Sequence, residues 1–190
     1  AMMLAASVQT ATHVEWKNEK AVVHCDKADE WDKNMRIDDA LTWNNRPTAC
    51  WEHAKMVSIR LPKAPTDWST HTHVRLFMHS AVKTGSGFII MLDSDDPASG
   101  GHDYYHLRFP INWEGWKEFR IPLRKIGPAR NPLGYDKITS VQFIAQGWDY
   151  TPDPRAVIHF GDISFIDSEE YMMTEEEFFD ALDFGNPGLE

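Results

Sequence analysis

The chain has 190 residues, of which 42% are hydrophobic and 12% aromatic, enough to build one domain around a sizeable core. Its formal net charge of −10 argues against nucleic acid as a partner, because phosphate binding needs a basic surface. No stretch approaches the roughly eighteen apolar residues of a membrane span, so a membrane is not expected as a partner either.

Short apolar stretches separated by Pro, Gly and Asp residues predict an all-β fold. Residues 1–20 are expected to be a flexible N-terminal segment, and residues 21–168 a β-sandwich module. Predicted strands cover residues 21–25, 55–61, 73–79, 88–92, 138–145 and 156–165, with two more inside 104–123. Because no long helical period separates them, the pattern favours an antiparallel sandwich or jelly roll over an α/β fold.

The two cysteines, Cys25 and Cys50, are compatible with one disulfide or with two buried thiols. A bridge would add about 3 kcal/mol of stability in the chain-entropy model. The core is large enough to fold without it, so both alternatives stay open. Neither cysteine lies in a spacing typical of a zinc site.

The segment 104–123, YYHLRFPINWEGWKEFRIPL, is the most informative part of the sequence. It predicts a strand, a turn at residues 113–115 and a second strand closed by Pro122. In the first strand an apolar face alternates with a face formed by Tyr104, His106 and Arg108. A phenol, an imidazole and a guanidinium are groups that hydrogen-bond to a sugar acid and stack on it.

Residues 174–182 predict a short amphipathic helix that begins at the capping box TEEE, and GNPG at 185–188 ends it. A helix this short is marginal alone. Residues 169–190 are therefore interpreted as a linker that packs on the sandwich or leads into a following domain.

Several motifs in order resemble the N-terminal β-sandwich of heparinase-type polysaccharide lyases, a galactose-binding-like fold. They are W-x-x-R at 43–46, DWS at 67–69, YY at 104–105, GWK…IPL at 115–123, GW at 147–148 and GDISF at 161–165. The tail FFDALDFGNPGLE is similar to the segment that leads into the catalytic helical toroid of such lyases. The resemblance runs from Val22 to the C-terminus and does not include the toroid, so it implies an ancillary module beside an absent catalytic domain.

No motif with a catalytic mechanism occurs in the chain, which lacks HExxH, GxSxG and a phosphate-binding glycine loop. Glu114 and Glu118 flank Trp116, but solvated carboxylates around a turn are the simpler interpretation. We therefore predict a protein that is not an enzyme.

A ligand surface is predicted from Arg75, His79, Tyr104, His106 and Arg108. If the strands at 73–79 and 104–108 lie in one sheet, these side chains share a polar face suited to carboxylate or sulfate. His73 and Phe77 would join them, and Gln142 and Gln146 would extend the surface. The alternative is that a loop or the neighbouring catalytic domain covers this face.

The tryptophans fall into two groups. Trp43, Trp68 and Trp148 lie in loop-like surroundings, where an exposed ring would stack on a pyranose; core or loop anchoring is the alternative. The second group is expected to anchor the core or the loops, because Trp buries a large area; it contains Trp31, Trp51, Trp113 and Trp116.

Sandwich modules of this type often hold a structural calcium ion, which the resemblance would place between Asp26 and Asp162. Calcium takes six to eight oxygen ligands, backbone carbonyls among them. The family position before the first Trp is usually Glu after an aromatic residue, whereas this chain has Cys25-Asp26. Without the metal, Asp162 would cap or hydrogen-bond a neighbouring loop.

Two functions remain open. The first is a carbohydrate-binding module that recognises an acidic polysaccharide and tethers an attached lyase to it. The second is a structural module that packs on the lyase and binds no sugar. In either case we expect a monomer that is secreted, periplasmic or on the cell surface.

Overall fold

The computed structural model describes residues 9–11 and 19–166, which form two β-sheets packed face to face. In chain order the strands of this part are β1 (Gln9–Ala11), β2 (Glu19–Val23), β3 (Arg36–Trp43), β4 (Arg46–Glu52), β5 (Ser58–Leu61), β6 (His73–Ser80), β7 (Gly87–Asp93), β8 (Tyr104–Pro110), β9 (Gly115–Pro122), β10 (Gly127–Ala129), β11 (Ser140–Ile144) and β12 (Val157–Ile166). Two short 3₁₀ turns, Ala28–Glu30 and Leu123–Lys125, are the helical elements of these residues. No helix in the described part is long and apolar enough to span a membrane.

The larger sheet runs β1-β3-β4-β12-β6-β9, with β2 also paired to β12, and the smaller sheet runs β10-β8-β7-β11-β5. Neighbouring strands are antiparallel except β1 and β3, which are parallel. The predicted all-β antiparallel sandwich is therefore confirmed. β1 and the start of β2 lie inside the predicted N-terminal segment 1–20. The short helix predicted at 174–182 lies outside the described residues.

The core between the sheets is built from alternate residues of each strand. On β7, Phe88, Ile90 and Leu92 belong to it, while Ile89 and Met91 alternate with them toward the opposite face. The largest apolar rings buried here are Trp51, Phe88, Phe109, Phe119, Phe143, Phe160 and Phe165. Burying one such ring contributes roughly 1.5–3 kcal/mol, so this aromatic layer fixes how the two sheets pack.

The two strands predicted in 104–123 are present as β8 and β9, but they belong to different sheets. β8 pairs with β7 and β10, whereas β9 pairs with β6. At their connection Trp113 is buried, and its ring centroid lies 5.8 Å from that of Phe109 and 4.9 Å from that of Phe119. The turn is therefore an arch from one sheet to the other.

No strand is predicted from the sequence where β3 and β4 lie. They form a hairpin whose turn residues Asn44 and Asn45 have φ values of 48° and 58°. A two-residue hairpin turn of this kind needs left-handed backbone at both positions, which Asn tolerates. This hairpin places Trp43 and Arg46 beside β12.

Candidate functional site

The predicted ligand residues do not share one face. Arg75 and His79 lie on β6 in the larger sheet, and Tyr104, His106 and Arg108 lie on β8 in the smaller sheet. The prediction of a common sheet face is wrong, because β6 pairs with β9 and β12 while β8 pairs with β7 and β10.

Arg75 is fully buried and serves an internal ion pair. Its Nε donates to Glu118 Oε1 at 2.8 Å, and its guanidinium carbon lies 4.4 Å from the ring centroid of Phe77. His79 is half-buried, and its imidazole meets the Trp116 ring edge-on at 5.5 Å. Burial lowers the pKa of His79. In this arrangement Arg75 does not reach a ligand, and it stabilises the larger sheet.

The outer face of the smaller sheet carries the other three predicted residues. Sheet register places Asp93 opposite Tyr104, and Met91 opposite both His106 and Gln142. The polar or charged side chains of this outer face are Ser58, Arg60, Asp93, Tyr104, His106, Arg108, Ser140 and Gln142. The strand register therefore places polar side chains from four adjacent strands, β8, β7, β11 and β5, on one side of the sandwich.

Three aromatic side chains meet on this outer face. The Trp148 indole lies over the His106 imidazole with 26° between the planes and 5.8 Å between centroids. Tyr104 meets Trp148 edge-on at 6.1 Å and His106 edge-on at 5.9 Å. Burial, together with the nearby Arg108 charge, lowers the pKa of His106. The imidazole is thus held toward its neutral form, as a flat support for the indole.

A tight turn positions Trp148. The amides and carbonyls of Gly147 and Tyr150 bond to each other at 3.0 and 2.9 Å, and Trp148 and Asp149 between them have φ values of 50° and 71°. Tyr150 anchors the turn on β7, because a Cβ on Gly87 would come within 2.4 Å of the Tyr150 ring. The turn has the same left-handed backbone at both central residues as the Asn44-Asn45 turn, here occupied by a bulky Trp and an Asp.

Charged groups of both signs surround the aromatic rings. Arg108 is 51% exposed, with its guanidinium 3.7 Å from the Asp149 carboxylate. Arg60 is 43% exposed and lies 3.8 Å from buried Asp93. One oxygen of Asp93 accepts hydrogen bonds from Ser140 and, at 2.6 Å, from Gln142, and the other lies 3.0 Å from His102 Nε2.

The structure bears differently on the individual tryptophans considered in the sequence analysis. Trp43 and Trp68 are buried, so these two rings are not placed to stack on a pyranose and match the anchoring alternative. The ring centroids of Trp43 and Phe77 lie 4.0 Å apart, and Trp68 Nε1 donates a hydrogen bond to the Pro65 carbonyl oxygen at 2.7 Å. Trp148 is partly exposed. The rings that are buried as predicted are Trp31, Trp51 and Trp113.

Asp26 and Asp162 lie near each other, but an arginine stands between them. Arg46 contacts both Asp162 oxygens at 2.6 and 2.8 Å and approaches Asp26 at 3.6 Å. His24 Nδ1 lies 2.9 Å from Asp162 Oδ1, and Trp43 Nε1 donates to Oδ2 at 3.2 Å. Calcium takes six to eight oxygen ligands, and a guanidinium beside the same carboxylates would repel it. In this arrangement the side chains do not fit the calcium ion expected from the sequence, and chelator treatment is the test of that expectation.

The cysteines are both free and both buried. Arg36 donates to the Cys50 sulfur at 2.8 Å. Burial raises the pKa of Cys50 to about 11 and also raises that of Cys25. Neither thiol is poised for reaction at neutral pH.

Sequence reasoning did not single out Arg60, Asp93, His102 or Asp149 as site residues. Arg60 lies on the polar side of a predicted strand, and Asp149 directly follows Trp148, so both carried a local signal. Asp93 gave none, because its role depends on pairing with a strand almost fifty residues later.

Comparison with solved structures identifies the fold. A family 30 carbohydrate-binding module aligns with a TM-score of 0.56 and 17% identity, over 82% of this chain and 86% of that chain. The family 11 module from Clostridium thermocellum, in complex with a β-1,3-1,4-mixed-linked tetrasaccharide, aligns with a TM-score of 0.51 and 13% identity, over 83% and 93%. The family 30 module of a Clostridium thermocellum cellulosomal cellulase gives 0.52 and 14%, over 80% and 94%. No protein-family model and no curated protein matches the sequence. The chain therefore has the β-sandwich fold seen in carbohydrate-binding modules.

Proposed function

We propose that this chain is a non-catalytic carbohydrate-binding module that binds an acidic polysaccharide on the outer face of the smaller sheet. The observation that carries the proposal is the partly exposed Trp148 ring, held over His106 beside the exposed Arg108. A pyranose has an apolar C–H face and polar hydroxyls, so an aromatic ring flanked by hydrogen-bonding groups suits it. The fold shared with carbohydrate-binding modules supports the same class of ligand.

The acidic character of the ligand is argued from two arginines. Arg60 and Arg108 are each about half exposed and stand on strands at either side of β7 and β11. A guanidinium binds a carboxylate or sulfate through paired hydrogen bonds. Each guanidinium has an aspartate beside it, so on this protein of net charge −10 the two arginines orient an anionic chain more than they add affinity.

The tethering role rests on the sequence alone. The motifs shared with heparinase-type lyases lead us to propose that the module holds an attached polysaccharide lyase on its substrate, outside the cell. The lyase-like PGLE segment at 187–190 lies outside the described residues.

A neutral β-glucan is the second candidate ligand. One structural relative was solved with a β-1,3-1,4-mixed-linked tetrasaccharide. On the present chain, the Tyr104 hydroxyl and the half-exposed imidazole of the neighbouring His102 are groups that bind sugar hydroxyls. A neutral ligand would use these groups and the Trp148 ring, and would not depend on Arg108.

Affinity electrophoresis of the chain in gels containing polygalacturonate, alginate, a sulfated glycan or mixed-linkage β-glucan separates these possibilities. We expect retardation by an anionic glycan. Retardation by the neutral glucan alone would identify the second candidate, and no retardation in any gel would favour a structural module that packs on the lyase.

Three variants locate the site. Trp148→Ala and Arg108→Ala should each weaken retardation at least severalfold, while melting temperature stays near that of the parent. Arg36→Ala is the matched control, because Arg36 is 54% exposed on the larger sheet and also faces an aspartate. If all three variants bind like the parent, the ligand binds elsewhere.

A further inference from the structure

Asp149 stands out among the acidic partners of the arginines. Its side chain is 93% exposed, and its carboxylate lies 3.7 Å from Arg108. By contrast, Asp162 opposite Arg46 is 3% exposed and Glu118 opposite Arg75 is 27% exposed. Those acids are packed into the fold, whereas Asp149 reaches Arg108 from the tip of a turn.

The backbone accounts for this position. With φ of 71°, Asp149 has the left-handed conformation that places it at the second central position of the 147–150 turn. Tyr150, seated against Gly87, fixes the turn above the outer face. The backbone of the turn therefore places the Asp149 carboxylate near Arg108. Because the side chain is highly exposed, it is free to adopt other rotamers.

We propose that Asp149 is a specificity-determining residue, the resident counter-ion of Arg108, which an anionic sugar group must displace; this rests on the proposed function. A ligand carboxylate that pairs with Arg108 comes close to Asp149, so the two anions repel each other. The side chain of Asp149 rotates into solvent, and the turn and its Trp148 ring stay in place. Asp149 thus reduces the affinity for anions and leaves neutral sugars unaffected.

Asp149→Asn is the informative substitution. Asn tolerates left-handed backbone at least as well as Asp, so the turn is preserved while the negative charge is removed. An exposed ion pair is weak, so the expected gain in affinity for a uronate oligosaccharide lies between about 1.5-fold and fivefold. Isothermal titration with oligogalacturonate, at constant ionic strength, measures it.

Two controls isolate the effect. Asp39→Asn changes the net charge equally at an exposed position on β3 in the larger sheet, and should leave affinity unchanged. In an Arg108→Ala background, Asp149→Asn should no longer increase the affinity as it does in the parent, because the pair is already broken.

The outcomes separate the two proposals. A tighter complex with the anionic oligosaccharide, abolished in the Arg108→Ala background, supports the role of Asp149. If Asp149→Asn binds that ligand like the parent or more weakly, the role of Asp149 is overturned while the proposed function stands. A parent chain that binds no anionic glycan overturns both.

Discussion

The Trp148 indole and the His106 imidazole lie nearly parallel, with 26° between their planes and 5.8 Å between their centroids. One ring comes from a loop turn and the other from the middle of β8, so the sheet supports the loop residue directly. A ring that is already held in place loses little conformational freedom when a ligand stacks on it. The contact therefore gives the outer face a preformed apolar surface.

Removal of this support should weaken binding through Trp148. We expect His106→Ala to lower glycan affinity about threefold to tenfold and to shift Trp148 emission, because the indole loses a stacking partner worth about 0.5–1.5 kcal/mol. His106→Phe keeps a flat ring and should retain most of the affinity. Equal affinities in His106→Ala and the parent would show that Trp148 does not need the imidazole.

Salt should weaken binding if Arg60 and Arg108 contact the ligand. Both arginines are about half exposed, and a screening length of about 10 Å at 0.1 M reduces such interactions. Titrations between low and high salt should show a severalfold loss of affinity in the parent and a smaller loss in the double variant Arg60→Ala/Arg108→Ala. Salt-independent binding would point to the neutral-glucan alternative.

The sequence predicts the fold class well because alternation and turn residues are local signals. It predicts the polar side of β8 for the same reason. It does not predict that β6 and β8 belong to different sheets, because alternation shows which residues share a face of one strand but not which strands pair. The contact of Arg46 with Asp162 bridges 116 positions along the chain and has no local signal.

Both thiols should be inert in the native protein. Cys25 and Cys50 are buried, and burial raises both pKa values, that of Cys50 to about 11. We expect a chromogenic disulfide reagent to modify neither cysteine in buffer and both in denaturant, without prior reduction. If the denatured chain reacts only after reduction, the cysteines are bridged.

Stability should fall in mild acid because of His53. Its side chain is fully buried against Trp51, neither ring nitrogen has a hydrogen-bond partner among the described residues, and burial lowers its pKa from 6.5 to about 4. The unfolded state binds the proton first, so stability is full above pH 6.5 and is lost as the pH falls toward 4. The loss from this residue is roughly 3 kcal/mol.

Urea unfolding between pH 4 and 8 tests this assignment. His53→Phe removes the titrating group, so the unfolding free energy of the variant should vary less with pH than that of the parent. Other buried histidines, among them His73 and His159, have lowered pKa values and leave a residual slope. Parallel pH profiles for the two proteins would assign the acid sensitivity to those histidines.

The ion pair between Arg46 and Asp162 should stabilise the fold at the position where a calcium ion was expected from the sequence. Asp162 is 3% exposed, and both of its oxygens contact the guanidinium. Removal of one partner of a buried pair leaves an uncompensated charge, which costs about 3–5 kcal/mol when both groups are fully buried. Because Arg46 is 29% exposed, we expect Arg46→Met to lower the unfolding free energy by about 2–4 kcal/mol.

A control variant and a chelator experiment show whether Arg46 or a calcium ion neutralises Asp162. Lys55→Met breaks an exposed pair with Glu52 and should cost no more than about 1 kcal/mol. A resident metal that binds only the native state would make the melting temperature fall in chelator, by mass action. We expect instead the same melting temperature with and without chelator. A lower melting temperature in chelator, absent in Asp162→Ala, would establish calcium between Asp26 and Asp162 and would mean that Arg46 moves aside to admit it.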